Sequence, residues 1–374
     1  MTSELVPVDV PRPMSRADEL RAVKDAEARD VRSMDLPTLA KLVESLGERP
    51  FRAKQLFKWI HPRGVRSFEE MTDLSKAFRA KLAENATISS ITIDTREIAR
   101  DGTRKYAFRT GRGDVIESVF IPDASAEGRN TLCISSQVGC AIDCKFCLTG
   151  TLGLRRNLTA GEIAEQLTRV KQDTGDLGVQ NIVMMGMGEP LHNYDNLIKS
   201  LDMFTMEEGH GMSSRRITVS TAGLAPRIPR LGHDTKVNLA VSLNATTDEV
   251  RDRIMPINKR YNIKTLLDAC KEFPLPERRR ITFEYVMLDG VNDTIEDARR
   301  LVGLLHGFRC KVNLIPYNAH PRSEYKSPSK ATVDQFQRYL INHDMSAFVR
   351  TSRGEDISAA CGMLGVEADK VARA

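Results

Sequence analysis

The segment Gly139-Cys140-Ala141-Ile142-Asp143-Cys144-Lys145-Phe146-Cys147 places three cysteines in a Cys-x3-Cys-x2-Cys pattern. An iron-sulfur cube normally takes four thiolates, and no fourth cysteine stands beside these three. A cluster bound here would therefore keep one iron open to another ligand, much as a catalytic zinc keeps one coordination position free. The spacing predicts an iron-sulfur centre that takes part in catalysis.

Two other uses of the three cysteines remain open at this point. They could hold a structural zinc together with a distant histidine, or they could be ordinary buried thiols. Structural zinc sites usually come as two paired Cys or His knuckles. The 374 residues contain no second Cys-x2-Cys and no His-x3-5-His pair, so the spacing favours the cluster.

Length and composition are those of a globular protein with room for one large domain and a smaller one. Hydrophobic residues make up 41% of the chain and charged residues 28%, with a net charge of +5. No run approaches the roughly 18 apolar residues of a membrane helix, and the N-terminus shows no secretory signal. Seven cysteines, three of them crowded together, do not suit a disulfide framework. We therefore expect a cytoplasmic protein without a membrane partner.

The first 90 residues divide into an extension and a small helical domain. Residues 1–34 are polar and charged with little apolar periodicity, which predicts a mobile N-terminal extension. Apolar residues then recur at helical spacing in three segments over residues 35–90, and Ser75 is the expected N-cap of the third helix. Residues 91–125 carry short strand-like runs broken by glycines, which predict a linker of β-hairpins.

Strand and helix signals alternate from residue 126 to residue 366, followed by a tail at residues 367–374. The six candidate strands are Thr131–Ser136, Val179–Met185, Arg216–Ser220, Val237–Leu243, Ile281–Met287 and Lys311–Tyr317. This alternation predicts an α/β core, either a parallel sheet or an incomplete β/α barrel. Chemistry in such folds gathers at the carboxyl ends of strands, and the cysteine motif follows the first strand.

Polar and small residues follow several of the later strands. Gly186-Met187-Gly188-Glu189-Pro190 comes after the second strand and is not a dinucleotide fingerprint, because Leu191 stands where the third glycine would be. Glu189 suits a cationic amine, although a plain tight turn is the alternative. The other polar strand ends are Ser220, Ser242, Asn244 and Asn318. Each could be a turn residue or helix cap, but together they suggest a polar ligand across the barrel mouth.

A basic stretch lies in the predicted helical domain. Residues 49–66 hold six arginines and lysines and no acidic residue, with Phe51 and Trp59 among them. Such a surface could follow a phosphate backbone and stack on a base. A solvated helix face is equally compatible with this composition.

The other four cysteines cannot be assigned by spacing alone. Most lone cysteines are inert buried residues, and this is the expectation for Cys270 and Cys310. Cys133 lies in the first predicted strand and could face the barrel interior. Cys361 lies past the last predicted strand, among small residues that permit close approach.

With Phe146 before its third cysteine, the motif resembles the radical S-adenosylmethionine (radical SAM) superfamily. Further strings resemble the bacterial RNA adenine methyltransferases of the RlmN and Cfr family, and they lie at Ser136–Cys140, Met184–Pro190, Ser220–Gly223, Arg353–Ile357 and Ala359–Gly362. The resemblance covers residues 35–366. It implies a partial (β/α)6 radical SAM barrel with a small helical N-terminal domain.

The resemblance also implies the roles of individual residues. Cys140, Cys144 and Cys147 would ligate a 4Fe-4S cluster, whose open iron takes the amino and carboxylate groups of S-adenosylmethionine (SAM). The positions that match SAM contacts are Gly188, Glu189, Ser220, Ser242, Leu243, Asn244 and Asn318. Asn244 stands where certain relatives have histidine. Cys361 would become S-methylcysteine, Cys133 would later pair with it in a transient disulfide, and Glu117 matches the general base.

The implied reaction explains why both a cluster and a reactive thiol are needed. The C2 carbon of adenine is electron-poor and will not attack a sulfonium methyl group, so one SAM would methylate Cys361 and a second would supply a 5′-deoxyadenosyl radical. The implied substrates are 23S rRNA and tRNA, with an electron donor such as flavodoxin and a monomeric enzyme. Methylation at C8 of the rRNA adenosine, and a non-catalytic iron-sulfur RNA-binding protein, are the alternatives.

Overall fold

Three helices form the N-terminal part of the computed structural model, which describes residues 25–123 and 128–365. They are α1 (Leu36–Ser45), α2 (Phe51–Ile60) and α3 (Lys76–Asn85). The Ser75 hydroxyl accepts a hydrogen bond from the Phe78 backbone N–H, so Ser75 caps α3 as predicted. The inward faces of α2 and α3 hold the predicted apolar residues, all of them buried.

The helical unit begins earlier than the sequence predicted. Arg32 is completely buried, donates hydrogen bonds to the backbone oxygens of Ile60, Val65 and Ser89, and lies 3.5 Å from a Glu165 carboxylate oxygen. The prediction of a mobile extension is therefore wrong for residues 30–34, because a buried arginine is stable when carbonyls and a carboxylate satisfy it. Residues 1–24 of that extension and the tail at 367–374 lie outside the described residues.

One ten-stranded sheet organises the rest of the chain, in the order β1-β2-β3-β4-β7-β8-β9-β10-β11-β12. Its strands are β1 (Thr92–Ile98), β2 (Arg104–Arg109), β3 (Val115–Ile121), β4 (Thr131–Cys133), β7 (Asn181–Met184), β8 (Ile217–Thr221), β9 (Asn238–Ser242), β10 (Ile281–Met287), β11 (Cys310–Pro316) and β12 (Ala347–Val349). The short strands β5 (Gln137–Gly139) and β6 (Leu154–Asn157) pair separately with each other.

The hairpin region is part of this sheet. Strands β1, β2 and β3 are antiparallel, and β3 pairs in turn with β4, the first barrel strand. The expected linker over residues 91–125 therefore extends the barrel sheet. Sequence signals for hairpins are local, whereas the pairing of β3 with β4 is not, and the predicted boundary falls where residues 124–127 are not described.

The six predicted barrel strands are all present, and they pair in parallel from β4 through β7, β8, β9 and β10 to β11. Ile281–Met287 has the predicted ends, whereas the first strand stops at Cys133 instead of Ser136. A seventh parallel strand, β12, was not predicted from the sequence. The incomplete β/α barrel is confirmed.

Helices connect the parallel strands and cover the sheet. They are α4 (Ala160–Thr174), α5 (Tyr194–Thr205), α6 (Ile228–Asp234), α7 (Asp248–Ile254), α8 (Ile263–Glu272), α9 (Ile295–Leu305) and α10 (Lys330–Asn342). A capping box of Thr159 and Glu162 starts α4, the helix that packs against the N-terminal unit. No helix within the described residues is both long and apolar enough to cross a membrane.

Candidate functional site

The loop between β5 and β6 carries the three motif cysteines at the carboxyl end of the barrel strands. The Cys140 N–H donates to the Gly153 oxygen at 2.9 Å, and the Cys147 N–H donates to the Cys144 oxygen at 3.0 Å. At Gly139 a Cβ atom would lie 1.8 Å from the Gly153 oxygen, so this turn into the motif requires glycine. These contacts hold the backbone of the cysteine loop in place.

The three thiols fit the requirements of an iron-sulfur cluster. All of them line one cavity, which has about 820 Å³ of empty space, part of it open to solvent. Burial raises the pKa of Cys140 to about 12 and that of Cys144 well above its usual value, and the neighbouring cysteines raise the Cys144 pKa further. Crowded thiolates in such a place need a positive group to stabilise them, which the cluster irons provide.

The cysteines were also compared with the geometry of a site for a single metal ion. Within residues 25–123 and 128–365, no group of three His, Cys, Asp or Glu side chains has the arrangement of ligands around one ion. In a 4Fe-4S cluster each thiolate binds a different iron atom. The three cysteines therefore need to line one cavity, but they do not need to converge on a single point.

Most of the residues matched to SAM contacts line the same cavity as the cysteines. Gly188, Glu189, Ser220, Ser242 and Asn244 all contribute to its wall, as does Cys361. The carboxyl ends of the three neighbouring strands β7, β8 and β9 therefore meet around one space, as the parallel sheet predicted.

Two of the residues matched to SAM contacts, Asn318 and Leu243, do not line this cavity. Asn318 lines an adjoining cavity together with Cys147 and Cys361. Leu243 is completely buried and lines neither cavity. Its N–H donates to the Glu284 backbone oxygen and its own oxygen accepts from Arg251, so both backbone groups of Leu243 are engaged.

Glu189 is held in a buried turn. Its side-chain oxygens accept hydrogen bonds from the N–H groups of Leu191 at 3.0 Å and Ala222 at 2.6 Å. Burial raises the pKa of this carboxyl to about 7, against the opposing effect of these hydrogen bonds. Glu189 therefore faces the cavity as a group whose ionisation a nearby cation would favour.

Asn244 has a structural task that sequence reasoning did not foresee. Its backbone adopts a left-handed conformation with φ of 57°, which asparagine tolerates better than most residues. Its side-chain oxygen accepts from the Val286 N–H at 2.8 Å, and its amide contacts the Met255 sulfur. The side chain thus joins the loop after β9 to β10.

Arg251 on α7 is a residue of the site that sequence reasoning missed. It is completely buried and donates to the backbone oxygens of Ala222, Ser242 and Leu243. Its neighbours Asp248, Glu249, Asp252 and Arg253 are also charged, so nothing in the local sequence distinguishes Arg251, and only its long-range acceptors reveal its role. Through them it positions the loops after β8 and β9.

The Cys361 segment lies across the cavity and is tied to the cluster loop. Asn318 donates from its side-chain amide to the Cys361 oxygen at 3.1 Å. The Leu148 N–H donates to the Gly362 oxygen at 2.8 Å, and the Thr149 hydroxyl donates to the Leu364 oxygen at 2.6 Å. Cys361 is accessible where the cavity opens, yet surrounding protein atoms desolvate its thiol and raise the pKa.

The β1–β2 hairpin holds the same segment from its other side. Buried Lys105 donates to the Ile357 oxygen at 2.7 Å and pairs with Glu97 at 2.9 Å. Nearby, the Arg100 N–H donates to the Asp356 carboxylate at 3.1 Å. The predicted hairpin linker is therefore one of the supports of the Cys361 segment.

Cys133 and Glu117 lie on the neighbouring strands β4 and β3. Cys133 is the register partner of Val119, and Glu117, two residues before Val119, lies on the same face of β3. Burial and, to a smaller extent, Cys361 raise the pKa of the Cys133 thiol to about 12, so the two thiols influence each other electrostatically. Glu117 is completely buried and lines neither cavity.

The basic stretch at residues 49–66 lies at the surface of the helical unit, where Phe51 is 51% exposed. Trp59 is partly buried, donates from its indole nitrogen to Asp73 at 2.5 Å, and has the Arg63 guanidinium 3.9 Å from its ring centre. Phe51 is therefore more exposed than Trp59, whose ring has Arg63 against one face.

Known proteins resemble this chain over both its N-terminal and its barrel regions. Residues 30–88 match the family described as Ribosomal RNA large subunit methyltransferase N-terminal domain, and residues 134–302 match the Radical SAM superfamily. A dual-specificity RNA methyltransferase RlmN of Geobacter sulfurreducens is 55% identical over 335 residues, covering 90% of this chain and 91% of the relative. The chain belongs to the RlmN family.

Other RlmN relatives extend the match. One from an Anaeromyxobacter species is 50% identical over 368 residues, covering 96% of this chain and 94% of the relative. The crystal structure of a radical SAM methyltransferase from Sphaerobacter thermophilus superposes with a TM-score of 0.83 at 42% identity, covering 90% of this chain and 98% of that one. The family and the radical SAM fold expected from the sequence are confirmed, and membership implies a 4Fe-4S cluster and SAM.

Proposed function

We propose that this RlmN-family methyltransferase adds a methyl group to C2 of adenosine in 23S rRNA and in tRNA, with Cys361 as the methyl carrier. RNA adenine methylation by radical SAM chemistry follows from family membership. The observation that supports the carrier role is the position of Cys361, which lines one cavity with Cys140, Cys144 and Cys147.

In this proposal Cys140, Cys144 and Cys147 hold the 4Fe-4S cluster. When bound and reduced, the cluster supplies the electron that cleaves SAM to a 5′-deoxyadenosyl radical. Glu189 contributes negative charge beside the cationic cofactor, and Ser220, Ser242 and Asn244 line the space in which SAM binds. The buried walls exclude water, which protects a radical from quenching.

Two thiols then divide the work on the methyl group. Cys361 accepts a methyl group from one SAM and, after loss of a hydrogen atom to the radical made from a second SAM, joins its carbon to C2 of adenine. Cys133 attacks the Cys361 sulfur in this proposal and releases the methylated base, and the electrostatic influence of Cys361 on the Cys133 thiol supports this pairing. In this scheme Glu117 takes the C2 proton, and the unpaired electron of the adduct would return to the cluster. The released methylene carbon takes up a proton to become the methyl group, and reduction of the disulfide resets the enzyme.

In this proposal the N-terminal unit binds the RNA substrate. Residues 30–90 present the RNA, with Phe51 and the basic side chains around it as the contact surface. A low-potential electron donor such as flavodoxin reduces the cluster, and the enzyme works as a monomer in the cytoplasm. Each basic residue that neutralises a phosphate should reduce the salt dependence of RNA affinity when removed.

The decisive experiment uses anaerobically reconstituted protein, SAM and an unmodified rRNA fragment. We expect mass spectrometry to find 2-methyladenosine with wild-type protein and none with Cys361→Ala, which still binds the cluster. A methyl group at C8 would replace the C2 assignment with C8 methylation. Undiminished methylation by Cys361→Ala would refute the carrier role, and cluster and RNA binding without SAM turnover would indicate a non-catalytic protein.

A further inference from the structure

Glu284 lies on the cavity wall in the middle of the parallel sheet. It is on β10, and its register partners are Ser242 on β9 and Asn313 on β11. Only 6% of the residue is exposed, yet it lines the same cavity as Cys361 and the three motif cysteines. A buried carboxylate facing a ligand cavity is costly to maintain unless it has a task there.

Only two residues with ionisable side chains line this cavity besides the cysteines, and they are Glu189 and Glu284. Both oxygens of Glu189 accept backbone hydrogen bonds. In Glu284 one oxygen, Oε1, accepts from the Asn313 amide at 3.0 Å. Within the described residues Oε2 of Glu284 accepts no hydrogen bond, so this oxygen retains its capacity to take a proton.

The reaction has two protons to remove, one from the Cys361 thiol before it is methylated and one from C2 of adenine at the end. The two candidate acceptors lie in different places in the sheet. Glu117 is on β3, on the face that Cys133 shares across the β3–β4 pair, and it does not line the cavity. Glu284 is on β10, in the cavity wall that Cys361 faces.

The Cys361 thiol needs a proton acceptor. Burial raises its pKa, and negative charge on Glu284 raises it further, with Arg350 opposing and Cys147 adding to the increase. The thiol is therefore protonated near neutral pH, whereas the thiolate is the nucleophile. Burial also raises the pKa of Glu284, against Asn313, Arg350 and Lys311, which makes this carboxylate a stronger base than an exposed one.

We propose that Glu284 is a further catalytic residue that accepts the thiol proton of Cys361 during methyl transfer from SAM. The inference rests on the proposed function of Cys361 as methyl carrier. The S–H bond breaks and its proton goes to Glu284 Oε2, while the sulfur electron pair forms the bond to the methyl carbon. The bond from that carbon to the sulfonium breaks, its electron pair stays on the departing sulfur, and S-adenosylhomocysteine leaves without any redox change.

The test measures methylation of Cys361 alone. Cluster-loaded protein with unmethylated Cys361 is mixed with methyl-labelled SAM in a single turnover without RNA, and the Cys361 peptide is followed by mass spectrometry. Glu284→Gln keeps the shape and the hydrogen bond from Asn313 but is not a base. We expect its rate to fall about 10²-fold or more, the usual contribution of a general base, with SAM affinity within threefold of wild type. A methylation rate within threefold of wild type would overturn the proposal.

Two further comparisons separate proton transfer from structure. Glu249→Gln removes an exposed carboxylate of α7 and should leave the rate unchanged. If Glu284→Gln does not retain the cluster, the pair Glu284→Asp and Glu284→Asn repeats the comparison with side chains of equal size. We expect the Asp variant to methylate Cys361 at least tenfold faster than the Asn variant, and equal rates would contradict proton acceptance.

The same experiment distinguishes this proposal from the proposed function. If wild-type protein never carries a methyl group on Cys361, the carrier role fails. If wild-type Cys361 is methylated and Glu284→Gln methylates it equally well, only the role of Glu284 fails. Protein variants that already carry S-methylcysteine should form 5′-deoxyadenosine at wild-type rates, because that step does not remove the thiol proton.

Discussion

Asn318 and Cys361 are joined by a hydrogen bond of 3.1 Å from the Asn318 side-chain amide to the Cys361 backbone oxygen. Asn318 is itself oriented by the Ser352 hydroxyl, which donates to its side-chain oxygen at 2.6 Å. This residue, matched by resemblance to a SAM contact, therefore positions the thiol segment at the same time. One side chain thus joins the wall of the cavity next to the cluster site to the backbone of Cys361.

Asn318→Asp should remove the hydrogen bond from Asn318 to the Cys361 oxygen. A carboxylate cannot donate to the Cys361 oxygen, so the thiol should shift by an ångström or so and RNA methylation should fall about 10²-fold. Alkylation of Cys361 by iodoacetamide in cluster-loaded protein should be faster than in wild type. Ser352→Ala, which removes only the orienting hydroxyl, is the control and should cause a smaller loss. Unchanged alkylation of Asn318→Asp would contradict this role.

Lys105→Met should loosen the Cys361 segment from the hairpin side. Losing a charged hydrogen bond to the Ile357 oxygen costs about 1.5–3 kcal/mol, so opening of the segment should become roughly 10- to 100-fold more frequent. Hydrogen exchange of residues 354–362 measures this directly. Lys105→Arg should restore most of the protection, and Lys76→Met on exposed Lys76 should have no effect. Equal protection in Lys105→Met and wild type would refute the stabilising role of Lys105 for the Cys361 segment.

Arg251→Met should destabilise the barrel mouth. It leaves the backbone oxygens of Ala222, Ser242 and Leu243 without their donor, at about 1–3 kcal/mol for each buried acceptor. We expect urea denaturation to show a loss of about 3 kcal/mol or more, together with weaker SAM binding. Arg253→Met, at an exposed position of the same helix, should change stability little. A loss of the same size in both variants would argue against the special role of Arg251.

The junction between the helical unit and the barrel should be sensitive to acid. The Thr168 hydroxyl donates to the His61 backbone oxygen at 2.9 Å and contacts His210 Nε2 at 3.2 Å. Burial lowers the pKa of His210 to about 3 and that of His61 well below its usual value. Both histidines stay neutral in the folded state while the unfolded chain takes up protons below about pH 6.5, so stability falls as pH decreases.

His210→Gln tests this dependence. Each strongly shifted histidine contributes about 1.4 kcal/mol per pH unit below its unfolded pKa, so this variant should lose less stability than wild type between pH 7 and 5.5. Urea denaturation at both pH values gives the difference. His343→Gln, at an exposed position, should behave like wild type, and an unchanged pH dependence in His210→Gln would exclude the junction histidines as the cause.

The barrel strands were predictable because each is a short apolar run bounded by polar or glycine residues. Ile281–Met287 was predicted to the residue, whereas the edge strand β12 was not predicted. The pairing of β3 with β4 also could not be read from the chain. Pairing depends on contacts between distant residues, which local periodicity does not record.

The candidate site shows the same division. Cys140, Cys144 and Cys147 were recognisable because cluster ligands on one loop need fixed spacing. Arg251 and Glu284 were not, since a charged residue in a helix or strand usually faces solvent and only burial shows otherwise.

Sequence alone determined the cluster motif, the radical SAM fold class and the resemblance to an RNA methyltransferase family, because these depend on residue types at fixed local spacing. Tertiary structure alone decided that Cys361 reaches the cluster cavity, that Lys105 and Asn318 hold it there, and that Glu284 faces the same space. These residues are more than 30 positions apart, and they come together only because the antiparallel hairpin and the parallel strands belong to one sheet.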